Sequence, residues 1–250
     1  QTGPEEWTIT GTAAEASALL DSFTVQPPND TDNNFTVAVS ATTVENGGAT
    51  VTANANHTVT VAAVADAPSL SQTAPAQGDE DTVIDIPITV GLNDTDGTET
   101  LDFVEISGVP GSATLAITTT GAAVATDLGG GVWRVTGPTA DIVATMANGV
   151  TILPGPNLGD DIPLTVTAQS IESNPTEGEV AVPTAQTVLP IVVDVVPIAD
   201  PVTSNGGTFA GEEDTPVPLT GLSGSSLDTD GSEIISFEIQ SVPSGAAFRD

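Results

Sequence analysis

The chain consists largely of short runs in which apolar and polar residues alternate. Such runs occupy residues 35–40, 57–61, 84–90, 164–168 and 234–239. Successive side chains of a β-strand point to opposite faces, so each run predicts a strand with one buried face. Gly, Pro, Asn and Asp separate the runs, as expected for turns. The pattern therefore predicts an all-β protein.

Two stretches do not fit this pattern. Residues 13–20 are compatible with a short helix, and residues 141–147 form a weaker counterpart. We interpret both as a short helical turn or a covered loop. Neither changes the predicted fold class.

Acidic motifs occur twice along the chain at nearly constant spacing. The Gly-Asp-Glu-Asp-Thr of residues 78–82 returns as Gly-Glu-Glu-Asp-Thr at 211–215. The Asp-Thr-Asp-Gly-Thr-Glu of residues 94–99 returns, with Ser for the second Thr, at 228–233. Self-similarity at a fixed period is the signature of a repeat array.

Further similarities give the boundaries of the repeat. Residues 6–11 resemble 132–137, and the linker-like segment 64–68, which ends in Pro, resembles 198–201. Proline ends a strand and stiffens a joint, so these two segments are predicted to link domains. The predicted organisation is the C-terminal half of one repeat in 1–66, a complete β-sandwich in 67–200, and the N-terminal half of the next repeat in 201–250.

Composition adds a strong constraint on partners. The chain has 34 acidic residues, two arginines, one histidine and a formal net charge of −32. Nucleic acid requires a basic surface, and anionic membranes would repel this chain, so neither is a partner. Such charge destabilises a compact state by self-repulsion, and divalent cations or high salt would offset it.

The remaining composition is that of a folded protein with thin cores. Hydrophobic residues make up 38% of the chain but aromatic residues only 3%, which favours small sandwiches packed with aliphatic side chains. Cysteine is absent, so there is neither a disulfide nor a thiolate metal site. No run of 18 apolar residues is present, and direct insertion into a membrane is not expected.

The repeated acidic turn is a candidate calcium site. Calcium takes six to eight oxygen ligands, and alternating acids in a turn converge on one ion while glycine allows the bend. Asp94, Asp96 and Glu99 form one such set around Gly97. A solvated Asp-Gly hairpin turn would give the same pattern without a metal.

A second acidic cluster precedes the first strand of each repeat. We predict that it shares an interdomain ion with the preceding linker and the acidic turn; protection of a strand edge by charge is the alternative. The pairs Asp30/Asp32 and Asp160/Asp161 are further candidates, or they shape turns. The predicted ligands are Asp66, Asp79, Glu80, Asp81, Asp94, Asp96, Glu99, Asp200, Glu213, Asp214, Asp228, Asp230 and Glu233.

The residues of an enzyme are not found in the sequence. His57 lies alone in an alternating run, where an exposed strand position is expected, and no second histidine completes a zinc site. The acids recur with the repeat, unlike a dedicated glycosidase pair. The glycines at 129–131 precede a strand and predict a turn, and Trp7 and Trp133 occupy equivalent positions that favour core or strand-end packing.

These motifs resemble those of a known family. The succession of the acidic cluster, the Asp-x-Asp-Gly turn and a following Val-Pro segment (109–110 and 242–243) is similar to the tandem repeats of giant type I-secreted, RTX-type bacterial adhesins. The resemblance implies cadherin-like or immunoglobulin-like β-sandwiches that bind Ca²⁺. The glycine-rich nonapeptide repeats of such proteins do not occur in this sequence.

The resemblance implies an extracellular, calcium-stiffened spacer on a bacterial cell surface, with neighbouring repeats as its partners and no enzymatic activity. The alternative is a self-assembling filament or surface-layer subunit, in which half-repeats of different copies pair head to tail. A ligand-binding adhesin would need an aromatic platform or a flat threonine array, and neither is evident in the sequence.

Overall fold

The computed structural model describes residues 6–29, 31–94, 97–172, 184–228, 231 and 233–248. The chain is mostly β-structure with two short helices, as the alternating pattern predicted. The elements are α1 (Ala13–Leu20), β1 (Phe35–Val44), β2 (Thr50–Val59), β3 (Ser69–Gln72), β4 (Gln77–Asp79), β5 (Ile84–Asp85), β6 (Ile88–Gly91), β7 (Glu99–Ser107), β8 (Thr114–Ile117), β9 (Val124–Gly129), β10 (Val132–Thr136), α2 (Thr139–Asn148), β11 (Val150–Leu153), β12 (Ile162–Glu172), β13 (Thr184–Val196), β14 (Val202–Ser204) and β15 (Gly224–Ser226).

Strands β3 to β13 form a β-sandwich, called here the middle sandwich. One sheet has six strands in the order β4-β13-β12-β7-β10-β9, and a second has three in the order β5-β11-β8. Strands β3 and β6 pair separately. All these pairs are antiparallel except β4 with β13, which run parallel.

The core lies between the sheets and is made mostly of Ile, Val and Leu side chains. Along β12, buried positions alternate with more exposed ones from Ile162 to Glu172. Helix α2 packs its buried Ile142 and Met146 into the same core. The buried residues of both sheets and of α2 contact one another and form one continuous cluster.

The segments on either side of the middle sandwich are more open. The N-terminal segment (residues 6–66) contains α1 and the β1–β2 hairpin, and the C-terminal segment (residues 201–248) contains the β14–β15 pair. Large apolar side chains are exposed in both: Trp7 is 64% exposed and Ile234 is 96% exposed. The middle sandwich therefore contains nearly all of the buried core.

Several local expectations can be compared with this structure. Both expected helices form, but α1 buries no residue, so its interpretation as a covered loop is wrong. Exposed His57 in β2 and the turn at the glycines between β9 and β10 are as predicted. Trp133 packs against the core, whereas Trp7 is largely exposed and touches only the edge of Phe23 among the described rings.

Two expected strands differ from prediction. The run 84–90 divides into β5 and β6, which pair with different strands, because Pro87 has no backbone N–H to continue one ladder. Residues 234–239 form no strand, since none of the described strands pairs with them. Alternation alone therefore does not make a strand when no partner supplies the hydrogen bonds.

Local geometry recurs at the spacing of the acidic motifs. In the β3–β6 pair Ser69 lies opposite Gly91, and in the β14–β15 pair Thr203 lies opposite Ser225, 134 positions further on. Asp81 and Asp214 both have positive φ, at 59° and 61°. Similar sequences thus adopt similar local structures, while the repeat boundaries at residues 66 and 200 stay predictions.

Candidate metal site at the linkers of the middle sandwich

The linker that enters the middle sandwich is held by hydrogen bonds to several of its residues. The backbone N–H of Asp66 donates to Oε1 of Glu99 at 2.8 Å, and the hydroxyl of Ser170 donates to the carbonyl of Asp66 at 2.6 Å. The side chain of Asn93 donates to the carbonyl of Ala67 at 2.7 Å. The linker is therefore fixed to the end of the sandwich that contains Glu99, called here the near pole.

Two buried carboxylates face each other at the near pole. Glu99 of β7 lies directly opposite Glu172 of β12, next to a register shift between Gln169 and Ser170. Glu99 is 4% exposed and Glu172 is 3% exposed. The Oε2 atom of each has no hydrogen-bond partner among the described residues.

Burial raises the pKa of both carboxyl groups above the usual value for glutamate. For Glu99, hydrogen bonds from the Ser170 side chain and the Asp66 backbone offset part of this rise in pKa, and the charges of Asp94 and Asp66 add to it. For Glu172, a hydrogen bond from the Thr98 side chain offsets part of the rise in pKa, and the charges of Asp94, Glu99 and Asp32 add to it. The near pole thus concentrates negative charge where water solvates it poorly.

A cavity of about 270 Å³ lies between this pole and the N-terminal segment. Four carboxylate residues line it: Asp32 before β1, Asp66 in the linker, Asp94 after β6 and Glu172. Asp32 approaches from the N-terminal segment, while Asp94 and Glu172 belong to the middle sandwich. The cavity therefore collects acids from both sides of the linker.

The second linker repeats one hydrogen bond of the first, from the aspartate N–H to the glutamate. The backbone N–H of Asp200 donates to Oε1 of Glu233, again across 33 positions, and the hydroxyl of Ser226 donates to Oε2 of Glu233. The N–H of Glu233 donates to Oδ2 of Asp228 at 3.1 Å. Gly97 and Gly231 both have positive φ, at 90° and 81°, as a tight acidic turn requires.

The acidic cluster that begins with Asp79 lies at this second linker. Glu80 is buried, and its Oε1 accepts a hydrogen bond from the N–H of Ile198 at 2.6 Å. Oδ1 of Asp81 accepts from the N–H of Asn157, whose side chain donates to the carbonyl of Leu227. These contacts define the far pole of the middle sandwich and connect it to the C-terminal segment.

This placement corrects one expectation about the shared ion. Glu80 was expected to share an ion with Asp66, which lies in the linker that precedes the same repeat. Glu80 and Asp66 lie at opposite ends of β12, and at about 3.3 Å per residue this strand separates them by roughly 33 Å. The parallel pairing of β4 with β13 is the cause, because it carries Glu80 to the same pole as Asp200.

The other predicted ligands have different environments. Asp79, Glu213 and Asp214 are exposed, as are Asp160 and Asp161. Oδ1 of Asp161 accepts from the N–H of Val195 at 3.2 Å, which fits a turn-shaping role. Asp30, Asp96 and Asp230 lie outside the described residues.

Glu172 was not among the predicted ligands. It lies in no motif, but the strand alternation that begins at Ile162 places position 172 on the buried face. A glutamate in the buried phase of a strand is unusual, because carboxylates are almost never fully buried unless they are paired. The position of Glu172 in this alternation could therefore have identified it as a candidate ligand from the sequence.

The chemistry of the near pole suits a hard cation. Four carboxylate side chains line its cavity, calcium prefers such oxygen ligands, and His57 lies away on β2. Within the described ranges, no group of three acidic or histidine side chains is arranged so that it would hold an ion as it stands. Two unsatisfied buried oxygens nevertheless fit a bound cation, so the residues of the near pole are compatible with one.

Basic side chains compensate little of this charge. The described part of the chain contains one ion pair, between Arg134 and Glu105 at 2.7 Å. Arg134 also lies over the ring of Phe103, 4.1 Å from its centroid. This pair belongs to the β7–β10 ladder, away from both linkers.

Comparison with known proteins gives no assignment. No protein-family model matches the chain, and no curated protein is significantly similar to it. Among the described helices, none is long and apolar enough to cross a membrane.

Proposed function

We propose that this chain is a calcium-binding spacer segment of a large bacterial surface adhesin, located outside the cell and stiffened by ions at its linkers. The observation that carries the proposal is the recurrence of one arrangement at both linkers. At each, a linker aspartate N–H binds a glutamate that follows an acidic turn. The partners of the segment are its neighbouring repeats, and it has no enzymatic role.

The stiffening follows from where the acids lie. At each linker, carboxylates from consecutive parts of the chain surround a short connecting segment. A cation bound among them joins the linker to the structures on both sides, so bending at the joint requires breaking metal–oxygen contacts. Without the cation the same carboxylates repel one another and favour a bent or open joint.

Calcium is the expected ion because its oxygen-rich, flexible coordination tolerates irregular ligand sets better than magnesium does. Extracellular calcium modules bind with dissociation constants of about 0.1–1 mM. At 5 mM free calcium, a site of that affinity stabilises the folded state by about 1–2 kcal/mol through mass action. The middle sandwich contributes to both linkers and would gain about 2–4 kcal/mol.

Thermal unfolding of the whole chain tests the proposal. We expect the melting temperature to rise by about 6–20 °C in 5 mM calcium relative to chelator, because 1 kcal/mol shifts a domain of this size by roughly 3–5 °C. Sodium chloride at matched ionic strength is the control, since screening alone would act on all 34 acids. Equal melting temperatures in calcium and in matched sodium would refute the proposal.

A further inference from the structure

We infer that Glu172 and Asp32, neither of them part of the two repeated acidic motifs, are ligands of a calcium ion in the near-pole cavity. The inference rests on the proposed function and extends it. It adds a ligand from the last part of the middle sandwich and another from the N-terminal segment. The ion would then join three distant parts of the chain.

The first argument is the pairing of Glu172 with Glu99. Residues directly opposite each other in an antiparallel ladder project to the same face, with Cβ atoms about 5 Å apart. Like charges in that position are destabilising, and here both carboxylates are buried. A cation between the two strand ends would turn this repulsion into attraction.

The second argument is independent of charge and concerns hydrogen bonding. Oε2 of Glu99 and Oε2 of Glu172 are buried with no hydrogen-bond partner in the described residues. Buried polar atoms in native proteins nearly always have a partner, which is frequently an ion or water when no protein group supplies one. Two such oxygens on facing residues indicate the place of a ligand.

The cavity supplies the rest of the site. Glu172 lines it together with Asp32, Asp66 and Asp94, so its side chain faces the same space as three aspartates. Asp32 is half-buried and lies close enough for its charge to act on Glu172. The set is made only of oxygen ligands and includes both sides of the linker.

This ligand set makes ion binding depend on the completed sandwich. Asp94 follows β6, whereas Glu172 ends β12, so the two meet only when β12 has paired with β7. Calcium would thus bind at the near pole only after the middle sandwich has folded. The acidic turn alone would bind the ion more weakly, because affinity follows the number of charged ligands.

The test compares three single substitutions in the 250-residue chain by calcium titration calorimetry and by thermal unfolding. Glu172→Gln and Asp32→Asn each remove one proposed ligand. Glu45→Gln, in the exposed turn between β1 and β2, is the control with the same change of charge. We expect each ligand variant to weaken one class of calcium sites about tenfold or more, while the control binds like the original chain.

Thermal unfolding adds a readout that a structural role would not give. In chelator, Glu172→Gln should raise the melting temperature, because it removes a buried like charge; in calcium it should reduce the stabilisation. A loss of melting temperature of the same size in both conditions would overturn the inference. Should Glu172→Gln fail to fold, Asp32→Asn decides alone, and unchanged calcium affinity in it would refute the inference.

The outcomes also separate this inference from the proposed function. If the original chain binds no calcium, the proposed function fails. If the original chain binds calcium and both ligand variants bind it equally well, the spacer proposal stands. In that case only the assignment of Glu172 and Asp32 is wrong.

Discussion

Replacing Ser170 with alanine tests whether the sandwich holds its linker without help from an ion. The Ser170 side chain is fully buried, and its hydroxyl donates to the carbonyl of Asp66 at 2.6 Å. The substitution leaves that carbonyl without this donor in a partly buried place. An unsatisfied buried acceptor costs about 1–3 kcal/mol, and the small volume lost adds little.

The expected result is a melting temperature lower by roughly 3–15 °C, since 1 kcal/mol corresponds to about 3–5 °C in a domain of this size. Circular dichroism at 215–220 nm follows the loss of the sheets on heating. The drop is measured in chelator, where the hydrogen bond from Ser170 to Asp66 holds the linker without an ion. In calcium the substitution would also act on the proposed ion site, because the Ser170 side chain bonds Glu99 as well.

Ser107→Ala is the matched control. Ser107 lies in β7 of the same sheet, and its hydroxyl reaches the carbonyl of Thr165 at 3.3 Å, a longer and weaker bond. We expect this variant to stay within about 0.5 kcal/mol of the original chain. If the two serine variants unfold at the same temperature, the linker is not anchored as described.

Two further predictions concern charge and backbone at the middle sandwich. Because the pKa of Glu99 and of Glu172 is raised in the folded state, their ionisation opposes folding; the stability they contribute is present at low pH and is lost as the pH rises through the folded pKa. In chelator, the melting temperature should therefore be higher at pH 5 than at pH 7. A variant with both Glu99→Gln and Glu172→Gln should show a smaller difference between the two pH values than the original chain. An unchanged pH dependence in that variant would contradict the prediction. Gly131→Ala should destabilise by about 2–4 kcal/mol in urea unfolding, since φ is +76° and the new Cβ would lie 2.1 Å from the carbonyl oxygen of Val109. Gly129→Ala, with φ of +81° and no atom within 4 Å of its Cβ, should cost only about 1–2 kcal/mol, and equal losses in both variants would refute the steric argument.

Much of the secondary structure could be predicted because it depends on local pattern. Helix α1 has the predicted bounds, and a capping box at its start, in which Thr12 and Glu15 bond each other, explains why so exposed a helix begins there. The alternating run 164–168 lies within the longer β12. These features need only neighbouring residues to specify them.

The sequence predicted that Asp66 and Glu99 act together at one ion, but it did not predict the hydrogen bond between them. Both residues recur, as Asp200 and Glu233, and this repetition indicates a shared role. Repetition identifies the two residues but does not predict which of their atoms bond. Only the structure shows that the linker binds Glu99 through the backbone N–H of Asp66.

The partners of these acids could not be predicted, because they depend on long-range strand pairing. Glu172 faces Glu99 only in the register of β7 with β12, which shifts once at Gln169. Glu80 reaches the far pole only because β4 runs parallel to β13. Neither strand pairing can be predicted from the residues next to Glu172 or Glu80 in the sequence.

That parallel pair also determines how the middle sandwich responds to tension. Strand β4 lies near the start of the sandwich and β13 near its end, and their ladder joins Gln77 to Asp194 and Asp79 to Val196. A pull on the two linkers drives such strands past each other along their length, so the bonds between them are loaded together and do not open one at a time. The side chain of Gln77, which donates to Asp194 at 2.9 Å, is loaded with them. The parallel pair of β4 and β13 therefore opposes shear between the start and the end of the middle sandwich.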